Sequence, residues 1–326
     1  MKEIRIDEIE NICIGQYEDP EAATGCTVLI SPGGMPAGLD VRGGGPASRE
    51  SELLKPTANA SFIHGILLSG GSAYGLGAGD GVLHCLEEHE IGLDVGICKV
   101  PLVCQSDLFD LTVGRFDVRP DASFGYQAAQ AALAGGNYRD GNYGAGCGAS
   151  VGKWRGMDFC MKSGIGSYAI QVGELKVGAI VAVNALGDIY DYKNGQKVAG
   201  LLAEDREHFL DTLEVMLANT AVVENKFVGN TTIGVIITNA LFDKTRLCKI
   251  ASMAHNGYAR SIRPVHTSAD GDSIYAVSTG SVSADYDIVG TLAADVMSEA
   301  ILRAVRSCES AYGLVAAKDL KMADDN

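Results

Sequence analysis

Clusters of glycine constrain the fold of this chain more than any other feature of its sequence. Glycine supplies 41 of 326 residues, and it is concentrated at 31–38, 41–46, 68–81 and 140–156. Glycine permits positive φ angles and lets one backbone segment approach another, or a ligand, closely. Apolar, regularly patterned segments flank each cluster, which distinguishes the clusters from low-complexity linkers. We therefore expect close backbone packing at these positions within a folded domain.

Apolar segments bounded by turn residues predict the strands. Residues 231–240 are the clearest case, because TTIGVIITNA is rich in β-branched types that suit a buried strand. Residues 167–191 contain two strands joined at Gly173-Glu174, a pair typical of a two-residue hairpin, and the second strand ends at Asn184. Further strands are predicted at 26–32, 62–70 and 273–279.

Helical spacing of apolar residues predicts five helices, at 72–89, 121–133, 199–219, after a capping Asp243, and at 285–308. Residues 220–229 lead into the strand at 231. Strands and helices come in groups rather than in strict alternation, and no Pro- or Ser-rich linker divides the chain. The sequence therefore predicts a single α+β domain over 1–326, with layers of helix outside layers of sheet.

Composition limits the partners. The chain is 47% hydrophobic and 21% charged, and its formal net charge is −15. Nucleic-acid binding depends on Lys and Arg that neutralise phosphates, so an acidic chain favours a small, cationic substrate instead. The first ten residues, MKEIRIDEIE, contain no apolar run and resemble neither a signal peptide nor a membrane anchor. We expect a cytoplasmic protein with no nucleic-acid or membrane partner.

Cysteine and histidine patterns do not predict a metal site. The nine cysteines are scattered without a C-x-x-C pair, as expected of reduced, buried small side chains. His84 and His89 are five residues apart on a predicted helix, which places them on different faces and in solvent. His255 and His266 lack an obvious third ligand and are interpreted as hydrogen-bonded structural residues. We expect no metal and no cofactor.

The glycine motif of dinucleotide-binding folds and the serine motif of lipases are both incomplete in this sequence. Neither GAGCGASVG (144–152) nor the glycines at 75–81 complete the G-x-G-x-x-G spacing of a dinucleotide fold. GGSAYG (70–75) places its second glycine one position too late for the G-x-S-x-G turn of lipases.

Polar residues at the ends of strands are the remaining candidates for chemistry. These residues are Lys153, Asn184, Asn230, Thr231, Asp270 and Asp272. Taken alone, each has an ordinary structural interpretation, as a surface lysine, a turn residue, a strand threonine or part of an acidic turn.

Seven blocks of sequence, in order, resemble the DmpA-type aminopeptidase family. This family comprises self-processing amide hydrolases, including L-aminopeptidase/D-esterases, β-peptidyl aminopeptidases and nylon-oligomer hydrolases. The blocks are TGCTVLISPGGMPAGLDVRGGGPASRE (24–50), LLSGGSAYGLGAGDGV (67–82), LFDLTVGRFDVRPD (108–121), GNYGAGCGASVGK (141–153), VAVNALGD (181–188), GNTTIGVIITNA (229–240) and AHNGYARSIRPVHTSADGDSIYAVSTG (254–280).

The resemblance implies an αββα sandwich and self-cleavage before a Ser or Thr that becomes the N-terminal nucleophile. The cleavage motif falls on Asn230–Thr231, which would give an α chain of 1–230 and a β chain of 231–326. A homo-oligomer, a tetramer of αβ units, and a small peptide or amide substrate are also implied.

The implied roles are consistent with the residue types. Thr231 would be the nucleophile, with its freed α-amino group as base. Asp270 and Asp272 would orient that residue, Lys153 would lower the pKa of the amine, and the Asn184 amide would face the developing oxyanion.

Two departures from the family pattern matter. Serine-type members have a serine where Asp270 stands, so this chain sides with the threonine-type branch. The tyrosine that assists the oxyanion in some members is not evident in SDLFDL (106–111), which leaves the second oxyanion donor open.

Three functions stay open at this point: an aminopeptidase on short peptides or amides, an endo-type hydrolase of linear amide oligomers, and an unprocessed, non-catalytic protein.

Overall fold

Two large sheets and four long helices make up most of the computed structural model, which describes residues 1–218, 220 and 229–320. The helices within these residues are α1 Ala78–Glu88, α2 Ala122–Leu133, α3 Thr212–Ala218, α4 Lys244–Ser261 and α5 Tyr286–Ser307. The strands are β1 Lys2–Ile4, β2 Cys13–Asp19, β3 Thr24–Met35, β4 Ala37–Val41, β5 Ala47–Arg49, β6 Ile63–Ser69, β7 Leu93–Asp94, β8 Lys99–Val100, β9 Val103–Asp107, β10 Ser150–Val151, β11 Met161–Lys162, β12 Ile165–Val172, β13 Leu175–Asn184, β14 Asp188–Tyr190, β15 Lys197–Ala199, β16 Thr231–Ala240, β17 Ile262–Arg263 and β18 Ser273–Val282.

The first large sheet has six strands in the order β1-β12-β13-β16-β18-β4, and the second has five in the order β2-β3-β6-β9-β5. Each sheet is antiparallel apart from one central parallel pair, β16 with β18 and β6 with β9. Three small sheets complete the described part, with the orders β15-β14-β17, β10-β11 and β7-β8.

Alternation along β16 shows how the layers stack. Ile233, Val235 and Ile237 face a core between the two sheets, together with residues of β6 such as Leu68. Ile236 points to the opposite side, where α4 and α5 cover the six-stranded sheet. On the far side of the five-stranded sheet, α1 and α2 pack over a third core. Helix, sheet, sheet and helix therefore form the expected αββα sandwich.

Most predicted elements are confirmed. The strands predicted at 26–32, 62–70, 231–240 and 273–279 correspond to β3, β6, β16 and β18, and Gly173-Glu174 joins β12 to β13 in register. The acidic caps also form: the Asp121, Asp243 and Asp285 carboxylates accept backbone N–H groups at the starts of α2, α4 and α5.

Two helix predictions need correction. Residues 72–77 form a 3-10 helix, and the α-helix begins only at Ala78. Of the helix predicted at 199–219, only Thr212–Ala218 is helical, and residue 219 lies outside the described residues. The cause is Asp188, a fully buried carboxylate that accepts the backbone N–H groups of Leu201 and Thr212. A buried carboxylate needs such donors, so the chain wraps around it instead of continuing a helix.

The cysteines within the described residues are all free, as predicted. Six are buried, Cys13 and Cys248 are half-buried, and Cys98 departs from the prediction because it is exposed. None of the helices in the described ranges is long and apolar enough to cross a bilayer.

Candidate active site

Backbone pairing brings the predicted site residues to one end of the six-stranded sheet. Asn184, the last residue of β13, lies opposite Thr231, the first residue of β16, in the antiparallel register. The loop before β18 reaches the same place, where Asn230 forms a parallel bridge with Asp270. Lys153 follows β10 and is held by a backbone hydrogen bond from its N–H to the Leu186 carbonyl.

All five predicted catalytic residues are buried there. Their exposed fractions are 4% or less. The structure therefore brings together the residues that the resemblance singled out, which are Lys153, Asn184, Thr231, Asp270 and Asp272.

The carbonyl oxygen of Asn230 is the focus of the site. The Thr231 hydroxyl donates a short hydrogen bond to it, and the backbone N–H of Gly271 donates to the same oxygen at 3.1 Å. The side-chain amide of Asn230 is buried and finds no hydrogen-bond partner among the described residues. Such a group costs about 1–3 kcal/mol of free energy when buried without partners. The residue before Thr231 thus carries an unsatisfied, buried side chain.

The ammonium group of Lys153 is surrounded by three oxygen atoms. Its Nζ lies 2.5 Å from Asn184 Oδ1, 3.3 Å from the Asn184 carbonyl oxygen and 3.0 Å from the Gly229 carbonyl oxygen. Burial lowers the pKa of Lys153 to about 7, and the nearby acidic groups, Asp270 and Asp110 among them, oppose that shift. Three acceptors match the three N–H groups of a protonated lysine.

The Asn184 side chain connects three segments. Its Nδ2 donates to the Phe109 carbonyl at 2.8 Å and to the Gly229 carbonyl at 3.3 Å, while its Oδ1 accepts from the Ser150 N–H at 3.1 Å. In the uncleaved chain the amide therefore faces the carbonyl of Gly229, one residue before the bond predicted to be cleaved.

The two aspartates position backbone around the nucleophile. Asp272 Oδ1 accepts from the Thr232 N–H at 2.8 Å. Asp270 Oδ2 accepts from both the N–H and the hydroxyl of Thr267. Burial, assisted by the charge of Asp272, raises the pKa of Asp270 to about 6. The pair therefore fixes the start of β16 and the loop before β18.

His266 is hydrogen-bonded, as predicted, but its partner makes it part of the site. Its Nδ1 lies 2.8 Å from Asp272 Oδ2, which also accepts the His266 backbone N–H at 3.1 Å. His255 bonds to the Asp40 carbonyl through Nε2, and its ring lies 4.8 Å from that of His266. His84 and His89 are exposed, as predicted.

The stretch SDLFDL contributes its backbone and a ring rather than a tyrosine. The Phe109 ring packs against Gly229 so closely that a Cβ at Gly229 would lie 1.8 Å from Phe109 Cδ1. Asp110 is buried and accepts from the Thr24 hydroxyl and the Gly71 N–H. Only glycine fits at position 229 in this arrangement.

Sequence reasoning missed three contributors: Gly271, Phe109 and His266. The single sequence signal for Gly271 is its place between the two candidate aspartates in ADGDS. Nothing in the sequence distinguishes Phe109 from an ordinary core residue.

Comparisons with known proteins agree with this architecture. The model of peptidase family S58 matches residues 5–323. An uncharacterized aminopeptidase of Mycobacterium leprae is 37% identical, covering 95% of this chain and 92% of its own length. A 6-aminohexanoate-oligomer endohydrolase of Kocuria is 30% identical, covering 92% of this chain and 85% of its own length.

Solved structures share the fold. The L-aminopeptidase D-Ala-esterase/amidase of Ochrobactrum anthropi, described as a variant of the Ntn hydrolase fold, superposes with a TM-score of 0.66 at 16% identity over 96% of this chain and 90% of that chain. A β-aminopeptidase of Burkholderia gives a TM-score of 0.64 at 20% identity over 95% of this chain and 89% of that chain.

Proposed function

Because this chain belongs to peptidase family S58, the DmpA family, we propose that it is a self-processing amide hydrolase with Thr231 as its N-terminal nucleophile. The observation that carries the proposal is the contact of the Thr231 hydroxyl with the carbonyl of Asn230. A nucleophile held against the carbonyl of its own peptide bond is close to the carbon that it must attack, which lowers the entropic cost of the reaction.

Self-cleavage follows from this contact. Thr231 Oγ bonds to the carbonyl carbon of Asn230, the bond from that carbon to the Thr231 nitrogen breaks, and the hydroxyl proton ends on the departing nitrogen. The resulting ester is hydrolysed by water, which leaves a carboxylate on Asn230 and frees both the hydroxyl and the amine of Thr231. Release of the buried, unpartnered Asn230 side chain favours the products.

Turnover would then use the new α-amino group as the general base, since its ordinary pKa is near 8. Asp272 holds the Thr232 N–H and thereby the first residues of the new chain. Lys153 binds the Gly229 carbonyl, two residues before Thr231, and in its protonated form it would lower the pKa of the new amine.

The substrate that we propose is a short peptide or an amino-acid amide with a free amino group. The names of the mycobacterial relatives and of both solved structures support an aminopeptidase. The net charge of −15 favours a substrate that carries a positive amine. The tetramer of αβ units stays a prediction.

A second candidate is an endo-type hydrolase of linear amide oligomers. Relatives at 30% identity over more than nine-tenths of this chain carry the name 6-aminohexanoate-oligomer endohydrolase. Aminoacyl-nitroanilides compared with amide oligomers whose amino ends are blocked separate the two: hydrolysis of the blocked oligomers alone would favour the second candidate.

The decisive variant is Thr231→Ala. It removes the attacking oxygen, so we expect both self-cleavage and turnover to disappear while the fold, measured by circular dichroism, is unchanged. Edman sequencing of the smaller wild-type fragment should begin Thr-Thr-Ile-Gly. Thr231→Ser, which keeps an oxygen nucleophile, is the matched control and should still be processed.

Two outcomes would contradict the proposal. A Thr231→Ala protein that is still cleaved at this bond would exclude Thr231 as the nucleophile. A wild-type chain whose mass stays that of the full sequence after long incubation would support the non-catalytic alternative.

A further inference from the structure

Two successive carbonyl oxygens at the cleavage site are bound by different donors. The Gly229 oxygen is bound by Lys153 Nζ at 3.0 Å and Asn184 Nδ2 at 3.3 Å. The Asn230 oxygen, on the bond proposed to break, is bound by the Gly271 backbone N–H at 3.1 Å and by the Thr231 hydroxyl.

We propose that the Gly271 N–H stabilises the oxyanion of self-cleavage, whereas the Lys153–Asn184 pair is reserved for the substrate oxyanion after cleavage. This inference rests on the proposed self-cleavage at Asn230–Thr231. It divides between two sets of donors a task for which the resemblance named Asn184 and left the second donor open.

Counting donors supports the division. Asn184 Nδ2 has two N–H groups, and the Phe109 and Gly229 carbonyls take both. Lys153 has three, and three oxygen atoms surround it. Neither side chain has an N–H left for the Asn230 oxygen while the chain is intact. An oxyanion donor must point at the oxygen where charge develops, and Gly271 meets that requirement.

A glycine cluster holds the Gly271 N–H in place. The Gly45 N–H donates to the Asp270 carbonyl at 2.8 Å, and the Gly43 N–H donates to the Asp272 carbonyl at 3.2 Å. A Cβ at Gly43 would lie 2.3 Å from the Asp272 nitrogen, so the close approach requires glycine there. The segment 41–46 thus anchors the loop on both sides of Gly271.

The covalent steps explain why the donors change. When Thr231 Oγ bonds to the Asn230 carbon, the negative charge forms on the oxygen that Gly271 binds. When the C–N bond breaks and water hydrolyses the ester, the new Asn230 carboxylate departs with Gly229. The N–H groups of Lys153 and Asn184 that had bound Gly229 are then free for the carbonyl oxygen of a substrate.

The direct test replaces Gly271 by glycolic acid in the full chain, through suppressor-tRNA translation in a cell-free system. This exchange converts the Asp270–Gly271 amide into an ester. It removes the 271 N–H and leaves the Asp270 carbonyl in place, as a weaker acceptor for the Gly45 N–H. We expect self-cleavage, followed by intact mass, to slow by about 100- to 1000-fold, the usual effect of losing one oxyanion donor. The same exchange at Gly173, in the exposed hairpin turn, is the matched control and should leave the rate unchanged.

A glycolate-271 chain that is processed at the wild-type rate would overturn the inference. Thr231→Ala is run in parallel to separate the two proposals: if it stays intact while glycolate-271 is processed normally, only the assignment of Gly271 fails. If Thr231→Ala is also cleaved, the proposed self-cleavage mechanism itself fails.

A second arm tests the role reserved for Asn184. Asn184→Ala should lose turnover by about 100-fold more than it loses self-cleavage, each rate being measured on the same folded preparation. Equal losses in the two rates would contradict the division of donors. If this variant does not fold, the glycolate exchange alone decides.

Discussion

Two lysines are buried among the residues that the structure describes, and they differ in what they bind. Lys153 is 2% exposed and Lys162 is fully buried. Lys162 Nζ bonds to the carbonyls of Gly146 and Ala149 at 3.2 Å each and, more closely, to that of Ser163. Lys153 bonds to two oxygen atoms of Asn184 and to the Gly229 carbonyl. Lys162 binds backbone that the proposed reaction leaves unchanged, whereas Lys153 binds the segment proposed to be cut.

The comparison shows that burial and a shifted pKa do not identify a catalytic lysine. Burial lowers the pKa of Lys153 to about 7 and that of Lys162 to about 8, so both would be noticed by that criterion. The two lysines differ in whether one of their hydrogen-bond partners is altered by the proposed reaction. All three acceptors of Lys162 belong to the backbone of residues 146–163, which no proposed step alters.

The largest expected effect comes from Lys153→Met. The substitution removes a donor reserved for the substrate oxyanion, so turnover should fall by more than about 100-fold. It also removes a hydrogen bond to the Gly229 carbonyl beside the cleavage site, so self-cleavage should fall too, by a smaller factor. Lys162→Met is the matched control, because it exchanges a lysine of similar burial by the same substitution. It should be processed at close to the wild-type rate.

The stabilities of the Lys153→Met and Lys162→Met variants add to the comparison of their rates. Each variant loses charge-assisted hydrogen bonds to carbonyls, so each should lower the free energy of unfolding by at least about 2 kcal/mol, measured by urea titration of unprocessed Thr231→Ala backgrounds. Equal rates of both processing and turnover in the two lysine variants would show that Lys153 is structural as well, and would remove it from the mechanism.

The dependence of stability on pH is the second way to test the comparison. A lysine whose pKa is lowered in the folded state binds fewer protons there than in the unfolded chain, between its folded pKa and about 10.4. Stability therefore rises with pH over that window and gains nothing from this group below it. For Lys162 the window begins at about pH 8.

The measurement is the free energy of unfolding at pH 8 and pH 9.5 for the Thr231→Ala protein with and without Lys162→Met. The parent should gain about 1.4 kcal/mol per pH unit more than the variant over the steepest part of this window. The same slope in both proteins would mean that Lys162 stays protonated on its three carbonyls up to that pH.

The sequence predicts the local parts of this site better than the distant ones. The strand at 231–240 and the end of the hairpin strand at Asn184 follow from β-branched runs and a two-residue turn. Their pairing, which places Thr231 opposite Asn184, is a non-local contact that the sequence does not predict. The parallel pairing of β16 with β18 is a non-local contact, and no local pattern reveals that the loop before β18 carries Gly271 to the Asn230 carbonyl.

The two buried lysines also show what local sequence cannot predict. Lys153 follows the glycine-rich stretch 144–152, whereas Lys162 follows DFCM (158–161). Neither context identifies a catalytic lysine, and the resemblance pointed to Lys153 only. The helix predicted at 199–219 was wrong for a related reason. Asp188, distant in sequence from Thr212, binds that residue's N–H and hydroxyl, and such a tertiary contact overrides local helical spacing.

The smallest expected effect concerns the loop that Lys153 faces and Lys162 does not. His266 lies in this loop with φ at +58°, and its Nδ1 binds Asp272, which in turn holds the Thr232 N–H. His266→Gly keeps the backbone N–H and tolerates this φ but removes the side chain. A hydrogen bond to a charged group contributes about 1.5–3 kcal/mol, so self-cleavage should slow by about 10- to 100-fold.

His266→Asn is the informative partner of that variant. Asparagine also tolerates a positive φ, and its Nδ2 is attached to Cγ as Nδ1 is in histidine, so it can donate to the same Asp272 oxygen. We expect it to restore self-cleavage to within a few-fold of wild type. If His266→Gly and His266→Asn were equally slow although both were folded, the histidine would act in some way other than by orienting Asp272. The loop would then do more than support the Gly271 N–H. The difference between the Lys153 and Lys162 variants would then include a contribution from His266 that the present mechanism does not contain.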